Sequence, residues 1–304
     1  MKPWILIIVM LSLTGLACAD ELDDSYQQLK DASGKNDADA VLKWAPASFK
    51  LARAEAAKTK PADMSAEEWT KRVEFAKEVD TFSEYALATT ASQPSLAPAK
   101  TVELVDALLL LNPKSMYLGQ CTPAYLAALG KSGAEKQIAG ATKIVTGDPD
   151  NEDALYALAE GLYAKSPDRA FTYATRLVTV MKSKAKPEGV ADADWQNKKN
   201  AFLGRGYYFA GIAGCGRQIW KDCDVNLKAA VPYIGKEPGL AGPAYFYLGL
   251  ANYQLGKITT DRTKIQEALK YSQQAAAIPG PLQQAARGNV TAMSNELKAP
   301  VTRH

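Results

Sequence analysis

The sequence predicts an all-α fold built from pairs of short helices. Apolar residues recur every three or four positions through most of the chain, which is the spacing of one helix face. No segment of any length shows the alternating β-branched pattern that is typical of strands. One pattern of apolar and small residues also returns twice at a constant offset. Together these observations indicate a repeat architecture, in which each helical pair contacts its neighbours along the chain.

The segment from Asn151 to Leu177 shows the repeating unit most clearly. Its first helix carries leucines and an alanine on one face. Pro167 lies in the turn and can open the second helix, because proline fits the first helical position. The apolar positions of the pair are Leu155, Leu158, Ala159 and Leu162, followed by Ala170, Ala174 and Leu177.

The pattern of this pair returns at intervals of 45 residues, as Leu158, Leu203 and Leu248 show. Two further series have the same interval: Ala159, Gly204 and Gly249, and Tyr163, Tyr208 and Tyr253. The small residues of the second series have a physical role, because only Gly, Ala or Ser leaves room where the two helices of a pair cross closely. Each small residue therefore predicts a close helix crossing.

These units resemble tetratricopeptide repeats. That family places a large residue, Leu, a small residue and another large residue on its first helix, then small, large and small residues on its second, and ends in proline. The resemblance is strong over 151–280, looser over 67–147 and weak before that. It implies a right-handed α-solenoid of helix-turn-helix pairs. Because the 45-residue interval exceeds the family period of about 34, we expect extended turns or second helices, with an insertion at 259–263.

The rest of the chain divides into helices by the same signals. Ser65 and Glu68 form a capping box that opens a long helix. Proline at Pro46 and Pro123 is expected to kink or break its helix. The expected segments are 21–33, 37–57, 65–92, 102–111, 115–129, 134–145, the central pair, a helix from about 194, then 225–234, 240–255, 264–278 and 281–297.

Three regions follow from this division. Residues 1–19 are expected to be a signal peptide, 20–64 a divergent N-terminal helical pair, and 65–297 the array of repeat-like pairs. Within the array, 281–297 is expected to be a capping helix. A terminal repeat needs such a helix, because it would otherwise expose its hydrophobic face.

The first residues indicate export. Lys2 precedes the apolar run Trp4–Leu13, which is too short to span a bilayer, and Ala17 to Ala19 form an A-x-A cleavage site. Cleavage after Ala19 would make the protein periplasmic or secreted. The alternative is a lipoprotein anchored through Cys18, although Gly15 stands where that signal has Leu. Membrane contact is expected only in that second case.

Charge and composition exclude several classes of function. The chain carries 36 Lys and Arg against 33 Asp and Glu, and loss of Lys2 with the leader leaves a formal charge of +2. This balance favours neither nucleic acid nor an anionic membrane as partner. The single histidine is His304, so the pattern gives no Ser-His-Asp triad or imidazole base inside the fold. No Gly-rich phosphate loop follows a strand, and we expect no cofactor and no metal.

Three cysteines remain after cleavage. Cys215 and Cys223 flank the expected turn 216–222, and an oxidising compartment favours a disulfide between them. The other interpretation is two buried free thiols, which are ordinary small core residues. Cys121 is then left over and is expected to be buried; the alternative is an exposed thiol that is reactive or pairs between molecules.

The resemblance also implies a binding surface, because first helices line the concave groove of the family. The family's groove positions fall on Tyr156, Glu160, Tyr163, Lys198, Arg205, Tyr208, Phe209, Phe246, Leu250 and Tyr253, with Asp153, Ala201 and Gln254 beside them. Such a surface suits an extended peptide or a partner helix. The alternative for the tyrosines is that they only pack against neighbouring helices. The alternative for Lys198 and Arg205 is that they belong to a solvent-exposed face without a binding role. Some family members clamp the C-terminal carboxylate of a peptide. We do not expect that activity here, because Glu160 and Leu250 stand where the clamp needs polar amides.

The sequence thus predicts a non-catalytic protein–protein interaction scaffold of the cell envelope, whose partner is a protein or peptide. One alternative is an accessory or catalytic helical-repeat protein that acts on cell-wall glycan or peptide, which would need two carboxylates about 5–10 Å apart in a cleft. Another is a purely structural subunit of an envelope assembly. Fold alone does not choose between these functions.

Overall fold

The computed structural model describes residues 21–298, and this range is organised entirely as α-helices and their connections. Thirteen helices and no strand occur in it, which confirms the all-α class. The helices are α1 Glu21–Gly34, α2 Ala38–Ala56, α3 Ala66–Ala91, α4 Pro98–Leu111, α5 Leu118–Gly130, α6 Ala134–Gly147, α7 Glu152–Leu162, α8 Pro167–Ser183, α9 Asp192–Gly216, α10 Trp220–Ile234, α11 Pro238–Thr259, α12 Arg262–Ala277 and α13 Gln283–Lys298.

Two of the sequence-based predictions concern residues outside this range. The signal peptide 1–19, with Cys18 and the cleavage site after Ala19, precedes the described residues, and His304 follows them. Within the described residues, no helix combines the length and the apolar character that crossing a bilayer requires.

Local signals explain where many helices begin. The predicted capping box is formed: the Ser65 amide donates to the Glu68 carboxylate at 2.9 Å, and the Glu68 amide donates to the Ser65 hydroxyl at 3.2 Å. The side chain of Asn151 caps α7 by accepting from the Ala154 amide. Proline stands in the first turn of α4, α8 and α11. Neither Pro46 nor Pro123 ends its helix, because α2 and α5 continue through them.

The extra length of the repeat lies elsewhere than the sequence indicated. The connection within 259–263 is only Thr260 and Asp261, because α11 runs to Thr259 and α12 starts at Arg262. The additional residues are in the first helices, since α9 has 25 residues and α11 has 22, and in the connection 184–191. Long first helices enlarge the surface that each repeat can offer.

The chain forms two compact units, the first ending at Leu87 and the second beginning at Ala88. The first unit therefore extends beyond the predicted pair 20–64 and includes most of α3. Its core joins α1, α2 and α3 around Tyr26, whose ring makes edge contacts with Phe75 and Phe82 at centroid distances of 5.6 and 5.4 Å.

In the second unit, every helix from α4 to α13 contacts the next helix along the chain. A second set of contacts joins alternate helices: α5 with α7, α7 with α9, and α9 with α11. We call α5, α7, α9 and α11 the odd-helix layer. Since its members are the first helices of successive pairs, this layer is the surface on which the predicted site residues should lie.

Small residues set the closest helix crossings, as the repeat pattern predicts. A Cβ on Gly204 would lie 2.7 Å from the Cβ of Tyr233, and one on Gly211 would lie 2.5 Å from Cγ of Leu227. The crossing of α11 and α12 is equally close, because a Cβ on Gly249 would lie 2.5 Å from Oγ of Ser272. Real Cβ atoms do not approach other atoms this closely, so α9 packs against α10, and α11 against α12, only because these side chains are absent.

The cysteines reinforce the α9–α10 crossing. Cys215 and Cys223 form a disulfide with Cα atoms 5.0 Å apart. The turn between the helices is shorter than expected, so Cys215 belongs to the last turn of α9 and Cys223 to the first turn of α10. Cys121 is a free, buried thiol, and burial raises its pKa to about 12.

Substitution of Gly204 by Ala is expected to lower the free energy of unfolding by about 1–3 kcal/mol, because the new methyl group overpacks the α9–α10 crossing. Gly288 provides the matched control. It also lies inside a helix, and a Cβ there meets nothing within 4 Å. Gly288→Ala should raise stability by about 0.5–1 kcal/mol. Urea unfolding of both variants measures the difference, and equal effects would contradict the close crossing.

Loss of the disulfide in a Cys215→Ala/Cys223→Ala variant should lower the free energy of unfolding by about 2–3 kcal/mol, from the chain entropy of a short loop. Peptide mapping without reduction should recover the two cysteines on one linked fragment. Iodoacetamide should leave Cys121 unmodified in the native protein and alkylate it after denaturation, because its thiol is buried and protonated. Native labelling of Cys215 or Cys223 would contradict the pairing.

Candidate functional site

The structure distributes the ten predicted groove residues between surface and core. Tyr163 and Glu160 are exposed, with Tyr163 at 41%. Six others are partly buried: Tyr156, Lys198, Arg205, Phe246, Leu250 and Tyr253. Two are core residues, since Tyr208 is 9% and Phe209 5% exposed. The candidate surface therefore keeps the first eight and loses the last two.

The burial of Tyr208 and Phe209 has a structural cause. The helix α9 contacts α7, α8, α10 and α11, so its last three turns have neighbours on every side. Nearly all residues from Leu203 to Cys215 are buried for this reason. In a typical repeat the first helix keeps one face open to the groove. Four other helices surround α9, so residues that the family pattern assigns to the groove are buried here.

The two buried rings support exposed ones, and together they form an aromatic band. The band comprises Tyr156 of α7, Tyr163 directly after the last residue of α7, and Phe202, Tyr208 and Phe209 of α9. The Phe209 ring lies 6.0 Å from Tyr156, 5.6 Å from Tyr163 and 5.2 Å from Tyr208, centroid to centroid. Tyr156 also makes an edge contact with Phe202 at 5.8 Å. Such contacts contribute about 0.5–1.5 kcal/mol each, so the exposed rings are held in fixed positions.

The band continues towards α11. The pKa of Tyr208 is raised to about 12, mainly by burial and then by the nearby hydroxyl groups of Tyr163 and Tyr247. Tyr247 packs edge-on against Phe246 at 5.3 Å. Partly exposed aromatic rings therefore occur on α7 and α11, with the buried rings of α9 between them.

Charged groups border the band on α7 and α9. The Tyr156 hydroxyl interacts with the Glu160 carboxylate and the Arg205 guanidinium, and its pKa is raised to about 12, mainly by burial and then by Glu160. Arg205 also reaches Glu237, at the start of α11, at 3.4 Å. Through these contacts the Arg205 guanidinium links α9 to α7 and to the residue that precedes α11.

Lys198 was predicted as a groove cation, but the structure gives it two acidic partners on α7. Its ammonium lies 2.9 Å from Glu152 and 3.6 Å from Asp153. Lys184 binds the other oxygen of Glu152 at 2.5 Å. This arrangement, which we call the Glu152 junction, joins the first turn of α7 to α9 and to the connection that follows α8. Sequence reasoning missed Glu152, whose only signal was its place in the first turn of a helix.

The two adjacent carboxylates of the junction differ in their electrostatics. Burial acts to raise the pKa of Glu152, but hydrogen bonds from Lys184 and Lys198 outweigh it, so the pKa is lowered from 4.5. For Asp153 burial dominates over the attraction of Lys198, and the pKa is raised from 3.8. Lys198 bridges the Glu152 and Asp153 carboxylates, so both groups hold α7 and α9 together.

A second buried polar cluster ties α10, α11 and α12 together. Asn252, fully buried, donates to Asp224 at 2.6 Å and to the Leu248 carbonyl at 3.0 Å. Lys228 bridges Asp224 at 2.9 Å and Glu267 at 2.7 Å. Because these groups satisfy one another, the cluster fixes the register of three helices, and its donors and acceptors are occupied.

One predicted groove residue, Tyr253, is engaged by the last helix, α13. The Tyr253 hydroxyl donates to Glu296 of α13 at 2.7 Å, and Lys257 binds the same carboxylate at 2.8 Å. The hydrogen bond from Lys257, then that from Tyr253, lowers the pKa of Glu296. Tyr253 therefore anchors α13, and on α11 Phe246 and Leu250 remain as partly exposed apolar groups.

Chemically, the surface offers aromatic rings with charged borders, a composition suited to binding. Within 21–298, no group of three or more His, Cys, Asp or Glu side chains is placed to hold a metal ion. The chain matches no protein-family model. A comparison with curated proteins likewise found no match.

The Glu152 junction predicts opposite effects for two neighbouring substitutions. Glu152→Gln should lower the free energy of unfolding at pH 7 by about 1–3 kcal/mol, because two charged hydrogen bonds are lost. A lowered native pKa stabilises the fold above the ordinary value of 4.5 and loses that contribution as the pH falls through the native pKa. The deficit of the variant should therefore shrink in acid.

Asp153→Asn is the matched control. A raised native pKa means that the ionised carboxylate opposes folding at neutral pH. The amide should thus leave stability at pH 7 equal to or above that of the wild type. Unfolding of both variants in urea at pH 7 and pH 4 measures the contrast, and equal losses would show that the junction is misassigned.

Proposed function

We propose that this chain is a non-catalytic interaction protein of the cell envelope, which binds an extended peptide or protein segment on its odd-helix layer. In this proposal α4 to α13 form a right-handed solenoid of tetratricopeptide-like pairs. Two features support the solenoid: contacts between alternate helices run from α5 to α11, and small residues recur at the pair crossings.

The observation that carries the proposal is the aromatic band. Tyr163 exposes 41% of its surface although it is a large ring beside other aromatic residues. Tyr156 and Phe246 expose smaller parts of theirs on the same layer. Rings held on a rigid base lose little entropy on binding, and for this reason aromatic side chains dominate the energetics of many interfaces.

The charged residues of the surface would set the orientation of a bound segment. Glu160 is exposed on α7, whereas Arg205 and Glu237 form a pair at the α9–α11 border. A bound segment would place a cationic group near Glu160 and apolar side chains along Tyr163 and Phe246. Charged groups at the border of such a site fix orientation and speed encounter more than they add affinity.

Two features favour an envelope location. The apolar N-terminal run with its A-x-A site is typical of a signal peptide. The Cys215–Cys223 disulfide is typical of proteins that fold outside the reducing cytosol.

Photocrosslinking in the cell of origin tests the surface. With p-benzoylphenylalanine at position 163 or 246, we expect both positions to capture the same partner. Position 233 is the control, because Tyr233 of α10 is exposed to a similar extent, 39%, but belongs to an even-numbered helix. A Tyr163→Ala/Phe246→Ala variant should lose the partner while its melting temperature stays within a few degrees.

The outcomes separate the possibilities. Capture at 233 alone, or equally at all three positions, would contradict a site on the odd-helix layer. A large loss of stability in the double variant would show that Tyr163 and Phe246 serve packing. Tyr208 is unsuitable for this test, because it is buried and its truncation would unfold the core.

A further inference from the structure

A small cavity lies at the start of α11, where the connection between α12 and α13 passes over it. Its volume is about 150 Å³. The walls include Pro238, Gly239, Gly242 and Pro243 of α11, with Ile278 and Pro281 opposite. The exposed atoms of this wall are mainly apolar, so the cavity is suited to a hydrocarbon group.

The walls are fixed in place before any ligand arrives. Proline and glycine have no side-chain rotamers to lose, and the connection is held by a hydrogen bond from Gln283 to the Ala276 carbonyl at 3.0 Å. The amides of Leu240 and Ala241 are also engaged within the helix start, because both donate to the Glu237 carbonyl, at 2.9 and 2.8 Å. A ligand in the cavity therefore meets rigid apolar surface.

The equivalent place in an earlier pair is closed. For α5 and α6 it lies between Pro113, before α5, and Gly147, at the end of α6. These residues touch so closely that a Cβ on Gly147 would overlap the Pro113 carbonyl oxygen. At α11 the approach is looser, because a Cβ on Gly242 would lie 3.4 Å from Cγ2 of Ile278, which is an ordinary contact distance. The two pairs therefore differ in how closely the first helix approaches the end of the second.

The cavity is continuous with the proposed binding surface. Phe246 follows Gly242 by four residues and Pro243 by three, so the three residues share one face of α11. Glu237, which pairs with Arg205, directly precedes Pro238. The cavity therefore lies one helical turn beyond the last aromatic ring of the surface.

We infer that this cavity is a specificity pocket that takes one aliphatic side chain, of about the size of leucine, from the bound peptide. The inference rests on the proposed function and adds to it the kind of residue that is selected. Size supports it, because an apolar cavity of about 150 Å³ binds a benzene-sized molecule. Shape supports it as well, because an extended peptide across Phe246 would place a neighbouring side chain at Gly239 and Gly242.

The probe for this pocket is a library of random heptapeptides displayed on phage and selected on the full-length mature protein. We expect the selected peptides to share one aliphatic position. Gly239→Leu should fill the pocket from within and weaken a selected peptide by about tenfold or more, since a side chain is then no longer buried. Replacing the shared aliphatic residue by Ala should weaken binding to the wild type equally and have little further effect on the variant.

Gly288→Leu is the control, because a Cβ at Gly288 also meets nothing within 4 Å but lies on α13 away from the pocket. Melting temperatures of both variants, with Gly239→Ala as a milder filler, establish that the fold is retained. If Gly239→Leu and Gly288→Leu bind the peptides alike while Tyr163→Ala/Phe246→Ala does not, the pocket is overturned and the proposed surface stands. If the wild type selects no peptide, the proposed peptide-binding function itself fails, and the pocket with it.

Discussion

The close approach of α9 to α10 is the constraint on which the rest of the second unit depends. Helices separated by ordinary side chains pack about 8–10 Å apart. Glycine at Gly204, Gly211 and Gly214 removes the atoms that would keep α9 and α10 at that distance. The disulfide between Cys215 and Cys223 then holds the end of the crossing. With α10 this near, α9 also contacts α7, α8 and α11, and it becomes the central helix of the unit.

This central position organises the aromatic band. Because α9 is enclosed, Phe209 and Tyr208 point into the core and their rings become a base for Tyr156 and Tyr163. The Glu152 junction fixes α7 against α9, and the Asp224–Asn252 cluster fixes α10, α11 and α12 against one another. Removing one partner from such a group is costly, which restricts sliding between helices. Exposed aromatic rings are therefore displayed on a support that is held by close packing and by buried polar contacts.

The sequence predicts the local structure well and the long-range contacts poorly. Helix periodicity, the Ser65–Glu68 capping box and the small residues at Gly204 and Gly249 are local signals, and the structure shows each of them in place. Burial of Tyr208 depends on four neighbouring helices, which no local pattern specifies. The Lys198–Glu152 contact joins residues 46 positions apart, so its partner could not be read from spacing. The expected insertion at 259–263 fails because helix length varies between repeats without changing the apolar period.

The first turns of α11 are rich in proline and glycine. The segment PGLAGP contains two prolines and two glycines, and glycine inside a helix costs about 1 kcal/mol relative to alanine. At Gly204 the absence of a side chain is offset by close packing against α10. Gly239 is exposed in the first turn, where a Cβ would contact nothing within 4 Å, so packing does not require glycine there. A helix start that lacks good helix formers and lines an apolar cavity is poorly explained by stability alone. Local departures of this kind are expected where a protein keeps a site open for a ligand.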